Sequence, residues 1–304
     1  MYETALLIYN GNAGQKEVDK TLSQIIGPLS ASIPTLTLMQ TQKPGDAERF
    51  CRQHGEEVDI VIVLGGDGTV HECVNGLSPL DRRPAFSILP AGTCNDFARA
   101  LEIPLNIKQA AELIISPDSR ERRIDIAQTN DRYFSNFWGT GLIAEASQNI
   151  DEQSKGLLGR FSYYISAFKT LSGQEMFSFT LESGDQTIED EAVMLIVLNG
   201  KFLGATQFPL SSIQLDDGLM DIMVIKESGF PLLKEILSAK TTVNWEKDQS
   251  TIDHFQASSI KIKTSSKRVI DMDGEHYEGD YQKITILPGH LKIVAPNLKA
   301  ETGV

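Results

Sequence analysis

Positive charge is in short supply. The 304 residues hold 28 lysines and arginines against 41 aspartates and glutamates, a formal net charge of −13. A nucleic-acid surface needs a concentrated basic face, and none is visible, so nucleic acid is excluded as a partner. The same imbalance opposes contact with an anionic membrane surface except through local clusters. Lys155 with Arg160 is one such cluster, and surface salt bridges explain it equally well. Long apolar runs are also missing. The longest aliphatic stretch, Val193 to Leu198, is far too short to span a bilayer. No basic start followed by an apolar segment marks a secretory signal, so a cytoplasmic location is expected. Cysteine is rare. Cys51, Cys73 and Cys94 are too widely spaced for a zinc motif, and an odd count fits free thiols in a reducing compartment.

Two common nucleotide fingerprints are absent as well. There is no Gly-x-x-x-x-Gly-Lys-Ser/Thr loop, and Gly65-Gly66-Asp67-Gly68-Thr69 does not supply the Gly-x-Gly-x-x-Gly spacing of a dinucleotide site. What stands in their place is Val58 to Asn75, an apolar strand, a glycine turn carrying one carboxylate, and a helix start. The β-branched run Ile60 to Val63 reads as a buried strand. Gly65, Gly66 and Gly68 free the backbone to curl with its N–H groups inward, at the positive end of a helix. Asp67 would repel a bare phosphate, so a divalent cation or water between them is the reading that makes sense of it. A tight turn needing glycine only for positive φ is the alternative.

Two further strand-turn units have the same form. Thr4 to Tyr9 leads into Asn10-Gly11-Asn12-Ala13-Gly14, and Phe86 to Leu89 leads into Pro90-Ala91-Gly92-Thr93-Cys94-Asn95-Asp96. In a parallel sheet the carboxyl ends of strands lie along one edge, where such folds bind ligands. The first 125 residues alternate short strands with helical stretches at Lys16 to Ile26, Ala47 to His54 and Ile107 to Ile115. From about Asp125 the strands crowd together: Tyr133 to Trp138, Met176 to Glu182, Glu191 to Leu198, Met220 to Ile225, Ile260 to Thr264 and Lys283 to Leu287. The fold class expected is α/β. Residues 1–125, completed by about 288–304, form a mostly parallel nucleotide-binding domain, and residues 126–287 form a mainly antiparallel β domain. Between them Gly156 to Phe168 places Phe161, Ile165 and Phe168 at helical intervals, a core stripe or the border of an acyl-chain groove.

Gly65 to Thr69 with Glu72 and Asn75, Gly92 to Ala98, Asp216-Asp217-Gly218-Leu219 and Asp273-Gly274-Glu275 together resemble the ordered motifs of the soluble bacterial diacylglycerol kinase and lipid kinase family. That family includes the catalytic domains of eukaryotic diacylglycerol, ceramide and sphingosine kinases. The resemblance runs from Asn10 to about Val294. It implies an ATP- and Mg²⁺-dependent lipid kinase that acts on diacylglycerol or a related lipid at the membrane surface. The cytoplasmic protein would associate transiently with the inner face, and a homodimer is a compatible assembly.

Phosphoryl transfer needs the γ-phosphate positioned, its charge neutralised, and the attacking hydroxyl deprotonated as it bonds. Asn10 to Gly14, Gly65 to Thr69, and Gly92 with Thr93 are candidates to wrap the nucleotide, with Val70, His71 and Glu72 following and Thr41 ending a further strand. Asp67 would organise Mg²⁺. His71 could instead be a solvated residue on the first helical turn, and Glu72 and Asn75 could serve capping and helix packing. By resemblance Glu275 is the general base, aimed across an interdomain cleft by the glycine bend. By the same resemblance, the carbonyls of Gln214 and Leu219 and the side chain of Asp217 hold a structural Mg²⁺, although Asp-Gly is also a common hairpin turn. Asp125 and Asp96 match acidic positions near the cleft, and Asp96 has helix capping as its alternative role. One departure stands out: Asn10-Gly11-Asn12-Ala13-Gly14 replaces the family's usual Asn-Pro-x-Ser-Gly, which loosens the turn and removes a hydroxyl. The competing functions are an NAD kinase, which shares Gly-Gly-Asp-Gly, and a catalytically weak lipid- or nucleotide-sensing protein.

Overall fold

The computed structural model describes residues 2–11, 15–117, 119–148, 176–208, 210–226 and 252–297. The chain divides into two compact units, Met1–Ile124 with Gly289–Val304, and Asp125–Pro288. The first unit alternates β1 (Thr4–Asn10), α1 (Gln15–Ser32), β2 (Thr35–Thr41), α2 (Asp46–His54), β3 (Ile60–Gly65), α3 (Asp67–Leu77), β4 (Ala85–Pro90), α4 (Asp96–Ala100) and α5 (Ile107–Ile115). Its strands pair in parallel in the order β2-β1-β3-β4. Lys292 and Ile293, late in the chain, add in parallel beside Ala85 and Phe86. Strands β3 and β4 are buried along their whole length, which is why β3 reads as a continuous apolar run and β4 as one broken only by the buried Ser87.

Helix α1 continues past the expected end at Ile26 to Ser32 and contains Pro28. Ile25 and Leu29, on one stripe of the helix, are both fully buried. Each such side chain contributes roughly 1.5–3 kcal/mol, which offsets the roughly 3 kcal/mol that proline costs inside a helix.

The second unit takes over within β5 (Ser119–Thr129) and continues with β6 (Arg132–Phe134), β7 (Phe137–Gly141), α6 (Leu142–Gln148), β8 (Phe177–Ser183), β9 (Gln186–Ala192), β10 (Met194–Leu198), β11 (Phe202–Leu203), β12 (Thr206–Gln207), β13 (Met220–Ile225), β14 (Ile252–Ala257), β15 (Ser259–Met272) and β16 (Glu275–Pro296). Neighbours in the order β14-β13-β10-β7-β15-β16 pair antiparallel, and β8 pairs antiparallel with β15 and β9. The chain is therefore a mixed α/β protein with a parallel first part and an antiparallel second part. Period-2 alternation divides the core of the second unit between two clusters. Leu195 and Val197 of β10 join Trp138, Phe179 and Ile222, while Met194, Ile196 and Leu198 join Phe137, Ile143 and Met223 on the other face.

Two strand expectations need correction. Tyr133 to Trp138 is not one strand, because the chain breaks between β6 and β7 at Ser135 and Asn136. Their N–H groups bond the Asp273 carboxylate rather than a strand partner. Glu191 to Leu198 also divides, at Val193, where the chain leaves β8 and turns to β7 and β13. Val193 marks the change by donating to the Ile225 carbonyl and accepting from the Leu142 N–H. Cys51, Cys73 and Cys94 are buried free thiols. Among the described residues no helix is long and apolar enough to cross a membrane. The stripe Gly156 to Phe168, with Lys155 and Arg160, lies outside the described residues.

Candidate active site

In the first unit, parallel register sets the ends of four strands side by side. Asn10 pairs with Thr41, and Gly65 pairs with Pro90. Thr41 is 7 % exposed and its Oγ1 donates to the Tyr9 carbonyl at 3.4 Å, so its hydroxyl is tied to the end of β1. Gly14, with Asn12 and Ala13, lies outside the described residues. At Gly11 the end of the Gln40 side chain lies over the α-carbon, and a Cβ there would displace it.

The turn after β3 is closed by its own residues. A Cβ on Gly65 would meet the Thr69 side chain at 2.8 Å, and the Val70 N–H donates to the Gly66 carbonyl at 3.0 Å to start α3. Gly66, in the capping position of this helix, has no side chain of its own to cap it. The turn after β4 comes up against it: a Cβ on Gly92 would stand 2.5 Å from the Gly66 α-carbon. Only glycine at both positions allows the two backbones this approach.

Asp67 fastens the two turns together. Its Oδ2 accepts the Asn95 N–H at 2.9 Å and its Oδ1 the Asp96 N–H at 2.7 Å, so the carboxylate caps the start of α4. Asn95, in the left-handed region at φ 52°, closes its own loop by accepting from Gly92 N–H and donating to the Gly92 carbonyl. Asp96 is the first residue of α4 and 8 % exposed, with Asn95 in the capping position beside it. Thr93 is exposed.

Further along α3 the side chains face other tasks. Val70 is 5 % exposed. His71 is 2 % exposed, which corrects the solvated position expected for it. The Asn75 amide donates to the His71 carbonyl and lies 3.2 Å from His71 Nε2, so the ring is packed within the unit. Glu72 caps a neighbouring helix, its two oxygens accepting from Gly45 N–H at 2.8 Å and Ala47 N–H at 3.0 Å. No side chain of α2's own residues does this at Gly45. Glu72→Ala is expected to cost about 1 kcal/mol of stability, the usual loss on removing a cap, and to leave nucleotide affinity unchanged. Urea denaturation and nucleotide titration on one preparation check this. Parental stability with weakened nucleotide binding would move Glu72 to the phosphates.

The second unit holds the remaining candidates. Asp125, 2 % exposed, fastens the Gln214 to Leu219 loop: its N–H donates to the Leu215 carbonyl at 2.7 Å and its Oδ2 accepts the Gly218 N–H at 2.6 Å. Gly218 sits at φ 75°, and the Asp217 Oδ1 accepts from the Leu219 N–H across it. The Asp217 carboxylate reaches the surface, yet loss of water on its inner side raises its pKa, with Asp221 and Asp125 adding to the effect and the Leu219 N–H opposing it. Among the described residues no three His, Cys, Asp or Glu side chains are grouped to hold a metal. A cation at this loop would therefore depend on backbone carbonyls beside Asp217. Sequence reasoning missed Asp221, which braces the loop's start by accepting from Ser212 Oγ at 2.5 Å and meeting His254 Nε2 at 2.7 Å.

Glu275 opens β16 and is exposed. It follows a two-residue hairpin turn in which Asp273 and Gly274 have φ of 54° and 94°, with Met272 opposite Glu275. Positive φ at both central residues matches the twist of the flanking strands. Asp271, fully buried, accepts the Gly274 N–H at 2.8 Å. The Asp273 carboxylate accepts the N–H groups of Ser135, Asn136 and Phe137 at 2.7, 2.9 and 2.9 Å, and the Ser135 hydroxyl at 3.1 Å. Asp-Gly signals the turn in the sequence, whereas nothing local signals these partners.

Two family models cover most of the chain: a diacylglycerol kinase catalytic domain matches residues 4–129, and a YegS C-terminal NAD kinase beta sandwich-like domain matches residues 138–295. A Staphylococcus aureus (strain MSSA476) protein described as a "putative lipid kinase" is 31% identical over 301 residues, 97% of this chain and 98% of that protein. The chain belongs to the diacylglycerol kinase family of lipid kinases. Solved structures agree. A "putative diacylglycerol kinase" from Bacillus anthracis str. Sterne is 40% identical, with a TM-score of 0.85 over 97% of this chain and 96% of that one. A second diacylglycerol kinase structure from the same strain is 35% identical, with a TM-score of 0.79 over 97% and 98% of the two chains.

Proposed function

We propose that this member of the family is an ATP- and Mg²⁺-dependent lipid kinase whose acceptor is a lipid hydroxyl, diacylglycerol or a relative. The supporting observation is the meeting of Gly66 and Gly92 at the carboxyl edge of a parallel sheet, beside the start of α3. A Cβ would fill that space, and the N–H groups of a helix start favour a phosphate. The donor set fits nucleotide in this unit. Bound MgATP would supply the phosphoryl group, with the metal neutralising phosphate charge.

The chain's own residues do the rest. Asn10, Thr41, Gly65 to Thr69, Gly92 and Thr93 shape the phosphate edge, and Asp67 keeps the second turn against the first. Glu275 accepts the acceptor hydroxyl's proton as the new O–P bond forms, which suits a weak acid such as a primary alcohol. The Asp217 loop fits a structural cation, since a positive charge there would relieve the crowding of Asp217 by Asp125 and Asp221. The lipid reaches the protein by peripheral, transient contact with the membrane surface.

The direct test is transfer of radiolabelled phosphate from ATP to a panel of lipids and to NAD in detergent micelles. Label in a diacylglycerol-type lipid is the expected result, and label in NAD alone would replace the lipid reading. For the metal loop, Asp217→Ala is expected to melt earlier than the parent and to respond less to added Mg²⁺ in thermal scans. Parental curves that are identical with and without metal would reduce the loop to a plain Asp-Gly turn.

A further inference from the structure

Asn199, between β10 and β11, is fully buried and had no place in the chemistry above. Its surroundings tie it to the Glu275 hairpin. The Asn199 amide donates to two carbonyls, Ser135 at 2.8 Å and Asp125 at 3.0 Å. Its own N–H and that of Gly200 both donate to the Asn136 carbonyl, at 2.8 and 2.9 Å. Gly200 must be glycine for this, because a Cβ would collide with the Asn136 side chain. So the carbonyls of Ser135 and Asn136 point to Asn199 and Gly200, while the N–H groups of Ser135, Asn136 and Phe137 point to Asp273. The bend at 135–137 is held from both sides. The Asp273 N–H completes the tie by donating to the Phe137 carbonyl at 3.1 Å.

We infer that Asn199 is a positioning residue for Glu275, acting through the 135–137 bend and the Asp273 carboxylate. The inference rests on the reading of Glu275 as proton acceptor. Charge explains why a buried side chain so far along the sequence matters here. The Asp273 carboxylate keeps its position only while three N–H groups converge on it, and they converge only while the carbonyls of that bend are held by donors on the opposite side. Glu275 itself is exposed and directly follows the hairpin turn, opposite Met272. A shift of about 1 Å at a reacting group can cost up to a hundredfold in rate.

The test combines hydrogen exchange with a kinetic cycle. In Asn199→Ala, exchange followed by mass spectrometry at the amides of residues 135–137 and 274 is expected to rise roughly tenfold, and kcat to fall roughly tenfold or more while ATP binding is kept. In the Glu275→Gln background the same change should lower kcat no further, because Asn199 acts through the residue already disabled. An equal fall in both backgrounds would overturn the inference, and so would unaltered exchange at those amides. If Glu275→Gln alone keeps the parental rate, the base assignment fails, and exchange then decides whether Asn199 holds the hairpin. Should Asn199→Ala not fold, Asp273→Asn serves the same cycle, since it keeps the volume but replaces one of the two acceptor oxygens with an NH₂ group that faces N–H donors.

Discussion

Glu275→Gln is expected to lower kcat by roughly a hundredfold or more, the scale of removing a general base, with ATP affinity and melting temperature near the parental values. The amide has almost the same shape but cannot take the proton. Packing should not change, because Glu275 is exposed at the start of β16 and the turn before it is fixed by Asp271 and Asp273 rather than by its own side chain. A loss confined to kcat would mean an interaction made only as the hydroxyl attacks. Turnover of lipid at the parental rate would take the proton from Glu275 and give it to another carboxylate. Asp125 and Asp67 are the next to test, although both already accept backbone N–H groups in the structure.

What the sequence revealed and what it hid divide along the distance between partners. The parallel sheet was legible because β3 and β4 are largely apolar runs and glycine turns punctuate their ends, all within a few residues. The Asp273-Gly274 turn was legible for the same reason. Partnerships between distant residues were not. Asp273 meets Ser135 across 138 positions and Asn199 meets Ser135 across 64, and an Asn-Gly pair after a strand reads as an ordinary turn. The break at Ser135 and Asn136 had a local signal, two turn-favouring residues between Tyr133-Phe134 and Phe137-Trp138, but the carboxylate that diverts the backbone there comes from elsewhere in the chain. For Glu72, which follows Gly-Gly-Asp-Gly-Thr, the sequence left a place at the phosphate turn and a capping role both open. Its carboxylate accepts the N–H groups of Gly45 and Ala47 at the start of α2, a partner that spacing along the chain does not name.

Asp67→Ala is expected to lower kcat/KM for transfer by roughly 10²–10³-fold, the scale of losing one preorganised electrostatic element, in a protein that stays folded. A turn carboxylate beside phosphates invites a metal role, and the structure adds a mechanical one. Without it the N–H groups of Asn95 and Asp96 lose their acceptor, α4 loses its cap, and the approach of Gly92 to Gly66 loses the link that holds it. The two roles separate in nucleotide binding. If the fastening of the turns dominates, ATP affinity falls by a similar factor with and without Mg²⁺, because the phosphate edge itself has opened. If metal organisation dominates, the loss shows only when Mg²⁺ is present. The first pattern is expected, since both carboxylate oxygens are engaged by backbone N–H groups. Calorimetric titration of ATP into parent and variant, with the ion and with chelator, reads the difference directly. Parental transfer in the folded variant would remove Asp67 from the site altogether.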